Sequence, residues 1–208
     1  MIGLRALRVA GTTAPWTALG FSVRPEPLVP GLDIGTTSLD LEPAAAGIIG
    51  WTLVGEGPAQ LDGLRTTWID DPGPLRATLH PNGATRLDHV VVMTPSLQRT
   101  TGALGDAGLE LRRTRDAGTP DRPLQQGFYR LGEVILEVVG DVPPEGPARF
   151  WGLVAVVPDV DALAGQLGPR LVGTPKDAVQ PGRRILTVRR EAGLPVPFAF
   201  LTPDPRRG

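Results

Sequence analysis

The chain has 208 residues, with 21 basic and 22 acidic side chains and a formal net charge of −1. That balance leaves no electrostatic footprint for nucleic acid or an anionic membrane, and no stretch approaches the ~20 consecutive apolar residues of a membrane span. Cysteine is absent, which excludes disulfides and thiolate metal sites, and 27 glycines with 23 prolines favour short strands over long helices. The N-terminus shows no charged segment followed by a long apolar run, so a cytoplasmic protein is expected.

Residues 1–72 read as one partial, degenerate βαβββ-like module. GLRALRVA is a strand, TTAPWTALG a short helix ending at Gly20, and FSV a second strand. Leu28–Leu41 is extended, Gly47–Val54 is an apolar strand, and Leu61–Ile69 can pair with it. Asp71–Thr85, containing DDPGP and HPNG, has the turn chemistry of a linker, with His80 as a loop residue.

The stretch Leu87–Gly140 is the most informative. Alternation in Leu87–Met93 puts His89, Val91 and Met93 on one face and Val90 and Val92 on the other. Thr94 suits an N-cap with Pro95 at the first helical position, and Leu97, Thr101 and Leu104 give that helix an apolar stripe. Gly105 and Gly108 close it, and LELRR leaves as the next strand. In Glu133–Val139 the faces divide again, with Ile135, Glu137 and Val139 opposite Val134, Leu136 and Val138. If the all-apolar side packs on the helix, His89 and Glu137 share the other surface. A histidine and a carboxylate there can ligate a metal or act as an acid–base pair.

From Phe150 the pattern repeats at an offset of 63 residues, which takes Pro95 to Pro158, Leu97 to Val160 and Leu104 to Leu167. At the far end it takes Leu136 to Ala199 and Val138 to Leu201. The fold class is therefore α+β: tandem βαβββ modules over 86–140 and 149–203, forming a cup-shaped mixed sheet with helices outside. The same offset takes His89 to Gly152 and Glu137 to Phe200, and places Phe198 and Phe200 on the cup face. That apolar half either is a filled core or, with its bare glycine, suits a flat organic ligand. Gln126 and Phe128, with Tyr129 and Arg184, are further candidates to line the cup or orient a ligand. Trp151 packs on the other face, and Arg183 and Arg184 divide into one solvated and one sheet-paired charge.

The LDHVVV opening, the capped helix ending near GLEL, the GEVILEV closing strand and the tandem repeat resemble the vicinal oxygen chelate superfamily. That superfamily includes glyoxalase I, fosfomycin- and bleomycin-resistance proteins and extradiol dioxygenases. The resemblance covers roughly residues 86–203 and implies metal ligands on the first and fourth strands of each unit. In this chain those positions are His89 and Glu137, then Gly152 and Phe200, and the second pair cannot hold a metal. One divalent metal ion at most is implied, with a third ligand to come from Gln125, Gln126, Asp40 or a dimer partner. The implied function is binding of a small organic ligand in the cup beside a degenerate metal site. The alternative is a divalent-metal-dependent lyase, isomerase or dioxygenase in which His89 and Glu137 are both metal ligands and catalytic groups. Members often dimerise, so a homodimer is expected.

Overall fold

The computed structural model describes residues 2–25, 28–43, 47–70, 73, 75 and 78–205, so part of the expected linker (Asp71, Pro72, Pro74, Arg76 and Ala77) lies outside the described residues. In the first half, β1 (Gly3–Ala10), α1 (Ala14–Ala18), β2 (Gly31–Ile34) and β3 (Thr37–Glu42) precede β4 (Ile48–Val54), β5 (Gln60–Leu61) and β6 (Leu64–Ile69). These six strands make one sheet of order β2-β3-β1-β4-β6-β5. β1 runs parallel to β3 and β4 parallel to β6, while β1 and β4 meet antiparallel in the middle. The strands thus fall into two parallel pairs back to back, β1 with β3 and β4 with β6, where the sequence suggests one module. The second carries no helix between its parallel strands, so nothing with a 3.6-residue period announces it. FSV is not a strand.

In the second half, β7 (Arg86–Met93), α2 (Leu97–Asp106), β8 (Leu111–Thr119), β9 (Arg122–Leu131) and β10 (Val134–Val139) form the first unit. The second unit is β11 (Arg149–Val156), α3 (Val160–Leu167), β12 (Lys176–Asp177), β13 (Arg184–Thr187) and β14 (Phe198–Leu201). The eight strands are ordered β12-β13-β14-β11-β7-β10-β9-β8. β7 and β11 are antiparallel neighbours at the centre, each flanked by its parallel partner, which is the expected pseudo-twofold. The helix caps keep the 63-residue offset. Ser96 caps α2 by accepting from the Arg99 N–H at 3.3 Å, and Asp159 caps α3 by accepting from Asp161 and Ala162. Thr94 is not the cap; its hydroxyl oxygen accepts from the Ser96 N–H and from the Thr100 hydroxyl.

The inner faces of both sheets enter a single hydrophobic core that includes Leu7, Trp51, Val90, Leu136 and Leu153. Trp51 donates its indole N–H to the Thr66 hydroxyl at 2.7 Å, and Thr66 donates on to the Leu64 carbonyl. Thr66→Val removes the acceptor that satisfies this buried donor. It should cost about 1–3 kcal/mol, read as a lower urea midpoint at unchanged slope. His80 is not a free loop residue. It is buried against the Phe21 ring, accepts from the Ser22 N–H at 3.1 Å through Nδ1 and meets the Asp33 carbonyl at 2.9 Å through Nε2. Burial lowers its pKa against the opposing pull of Asp33. Among the described residues no helix is long and apolar enough to cross a membrane.

Candidate functional site

The face of the eight-stranded sheet turned away from the shared core carries the polar groups. His89 lies opposite Ile135 and Val91 opposite Glu137, so His89 and Glu137 are diagonal neighbours on one surface. His89 Nε2 stands 3.7 Å from a Glu137 carboxylate oxygen, an ion-pair distance rather than a hydrogen bond. Both groups are partly buried.

A third group joins them that alternation does not reveal. Between β7 and β11, Val154 pairs with His89 but Ala155 pairs with Leu87, so Asp88 is an extra residue. Leu87 and Val90 both enter the core, and the bulge turns Asp88 to the side of His89. Asp88 accepts from His89 Nδ1 at 3.0 Å. Its carboxylate is also gripped by both terminal nitrogens of Arg183, at 2.8 and 3.3 Å, and by Arg86 at 3.3 Å. Burial pushes the Asp88 carboxyl up, but the hydrogen bonds from His89 and Arg183 outweigh it and hold the group well below the usual carboxylate range. Arg183 itself is buried, donating to the Thr202 carbonyl and the Gln180 side chain as well. Arg183 is therefore neither solvated nor sheet-paired, contrary to the expectation from sequence.

On the other flank, Gln126 donates to Glu137 at 2.6 Å, and its amide oxygen accepts from Nε and one terminal nitrogen of Arg115. A polar relay results, running Arg183–Asp88–His89, across a gap to Glu137, then Gln126–Arg115. Phe128 lies opposite Glu137 on the cup face, with the Arg113 guanidinium 4.5 Å from its ring centre.

The second half of the cup differs from expectation. Val154, the second-unit counterpart of Val91, pairs with Ala199, so Ala199 and not Phe200 matches Glu137. The offset is 63 through β11 and α3 but 62 at β14, and a slip of one residue moves every side chain to the other face. Phe198 and Phe200 are buried in the shared core, against Trp16 and Phe21, and do not line the cup. What lines it there is aliphatic: Val154, Ala199 and Leu201, with Ala178 and Ile185 packed on them. Gly152 does lie on the cup side, but a Cβ there would stand 2.8 Å from the Pro197 carbonyl oxygen. Its missing side chain makes room for backbone rather than ligand. Trp151, at the bulge beside it, is exposed instead of packed. Tyr129 faces the core, where burial pushes its phenol up to about 12, and Arg184 pairs with Asp161 and Asp177 away from the cup.

The donor set does not suit a tightly held divalent ion. His89 and Glu137 are two donors where protein metal sites use three or more. The Gln126 oxygen is turned to a guanidinium, Gln125 donates to Asp116, and Asp40 sits in the other sheet, 2.6 Å from Arg24. Among the described residues no group of three or more His, Asp or Glu side chains is placed to hold a metal ion. The arrangement can instead hold and move a proton at His89 Nε2, with Asp88 fixing the ring.

No protein-family model matches the chain, and no curated protein matches it by sequence. Among solved structures, a triple mutant of 4-hydroxymandelate synthase from Streptomyces coelicolor matches 99% of this chain and 94% of its own, at 14% identity and a TM-score of 0.64. A fusion of a xylose isomerase-like TIM barrel with 4-hydroxyphenylpyruvate dioxygenase matches 96% of this chain, which spans 48% of the fusion, at 11% identity and a TM-score of 0.61. Methylmalonyl-CoA epimerase from Mycobacterium tuberculosis matches 64% of this chain at 19% identity and a TM-score of 0.47. The two longer matches extend over both sheets, so the N-terminal sheet belongs to the shared fold.

Proposed function

The chain has the vicinal oxygen chelate fold, and on that fold we propose that it binds a small organic molecule in the cup of its eight-stranded sheet, beside a metal site reduced to His89 and Glu137. The observation that carries this reading is the pair of second-unit counterparts, Gly152 and Ala199, which offer no donor where a complete site needs one. The aliphatic wall from Val154 to Leu201 and the polar relay from Arg183 to Arg115 give the cup one apolar and one polar side. Sites of this composition take organic ligands, apolar surface burying the body and the few polar groups setting its orientation.

A second reading has its own support in the Asp88–His89 hydrogen bond. Asp88 fixes Nδ1 as the bonded nitrogen and leaves Nε2 toward the cup, the placement a general acid–base histidine needs. On this reading the protein transfers a proton to or from the bound molecule, with Glu137 beside it.

Elemental analysis of protein purified without chelator tests the first reading. We expect divalent metal well below stoichiometric amounts, unchanged in Glu137→Ala. Near-stoichiometric metal that disappears in Glu137→Ala would overturn it and establish the metal-dependent lyase, isomerase or dioxygenase in its place.

A further inference from the structure

Resting on the reading of the cup as an organic-ligand site, we propose that the ligand is an oxyanion with a flat apolar body, whose carboxylate or phosphate is taken by Arg113 while the body lies along Phe128 and Ile135. A cavity of about 300 Å³ opens beside the His89–Glu137 pair, and its wall includes those three residues. The pair does not line it, but its neighbours do. Asp88 is bonded to His89, Ile135 is its cross-strand partner, and Phe128 is the partner of Glu137.

The wall is strongly basic. Arg86, Arg112, Arg113, Arg130 and Arg183 face two carboxylates, Asp88 and Asp204. Those carboxylates are already engaged: Asp88 by Arg183, Arg86 and His89, and Asp204 by the Gln180 amide. Nearby Glu137 is turned to Gln126 and His89, and Asp116 accepts from Gln125. Among the described residues Arg113 is in no ion pair with a carboxylate. It lies over the Phe128 ring, which the Arg115 guanidinium also approaches, at 5.5 Å. A guanidinium over a ring face spends none of its N–H donors on a hydrogen-bond acceptor there, and its fork can take a carboxylate or phosphate by two bonds. Two like charges on one ring, neither in an ion pair among the described residues, define a place where an anion is favoured and a cation is not. Phe128 and Ile135 beside them supply the surface for an aromatic or planar body.

The test is calorimetric titration of the full chain, at low ionic strength, with trans-cinnamate, its neutral amide, phenyl phosphate and inorganic phosphate. At least one of the two aromatic anions should bind ten-fold or more tightly than cinnamamide, and the tighter of the two identifies the headgroup. Arg113→Gln should remove that advantage, leaving anion and amide within two-fold of each other. Arg113→Lys, which keeps charge but loses the fork and the stack, should retain only part of it. Arg113 is exposed on an outer strand, so neither variant threatens folding. Equal binding of cinnamate, phenyl phosphate and cinnamamide, unaffected by Arg113→Gln, would overturn the anion inference and leave the organic-ligand cup standing. Inorganic phosphate binding as tightly as phenyl phosphate would overturn the role of Phe128 and Ile135. No heat with any aromatic probe would overturn both this inference and the reading it rests on.

Discussion

Arg183→Met is expected to destabilise the protein by about 3–5 kcal/mol, a fall in midpoint on the order of 10 °C for a chain of this size. The large figure comes from what is left behind. Asp88 is buried, and without Arg183 its carboxylate keeps only His89 and Arg86, in a place where the bidentate pair had offset the loss of water. The double variant Asp88→Leu/Arg183→Met removes both charges and should recover most of the loss, because a buried pair is often matched by apolar residues of similar volume. A loss below about 1 kcal/mol for the single variant would class the contact with exposed ion pairs instead. The pH dependence has a definite sign. The folded-state pKa of Asp88 lies below its ordinary value of 3.8, so its contribution is fully present above that value and is lost as pH falls toward the folded one. Chemical denaturation between pH 5 and pH 2 should therefore show a steeper loss in the wild type than in the double variant. Parallel curves would remove Asp88 from the acid response.

How legible this site was depends on one regularity of strands, that alternate side chains share a face. Where the backbone keeps that period, as in β10 and from His89 onward in β7, the sequence places His89 and Glu137 together and the apolar residues opposite. Where the backbone adds or drops a residue, the period misleads. The bulge at Asp88 brings an apparent core-side residue beside His89, and with it Arg183, whose place in a loop before β13 no pattern predicts. The deletion before β14 has the reverse effect, since an ungapped offset carried one residue too far sends Phe198 and Phe200 to the wrong face. A burial argument could have caught this. Phe198 and Phe200 are the bulkiest residues of β14, and their first-unit counterparts Leu136 and Val138 lie on the core face. The paired architecture itself is legible because Pro95 and the helix stripe recur in the second unit at one offset. The first half was less visible, its second parallel pair having no helix between its strands.

Phe200→Ala separates the two placements of β14 directly. In the core, Phe200 stacks near Phe21 at 5.9 Å and meets Phe198 edge-on at 5.2 Å, so truncation opens a cavity in the aromatic cluster that joins the two sheets. The expected cost is about 3–5 kcal/mol, because Trp16 and Phe21 belong to the other half of the chain and cannot collapse inward without shifting α1. The cup should be indifferent: an aromatic anion such as cinnamate should bind the folded variant within about two-fold of the wild type, since its wall at that point is Ala199 and Val154. A side chain in the cup would behave in the opposite way, with affinity lost and stability nearly kept. Unfolding and titration on the same variant therefore distinguish the placements, and a drop in affinity without a drop in midpoint would return Phe200 to the ligand wall.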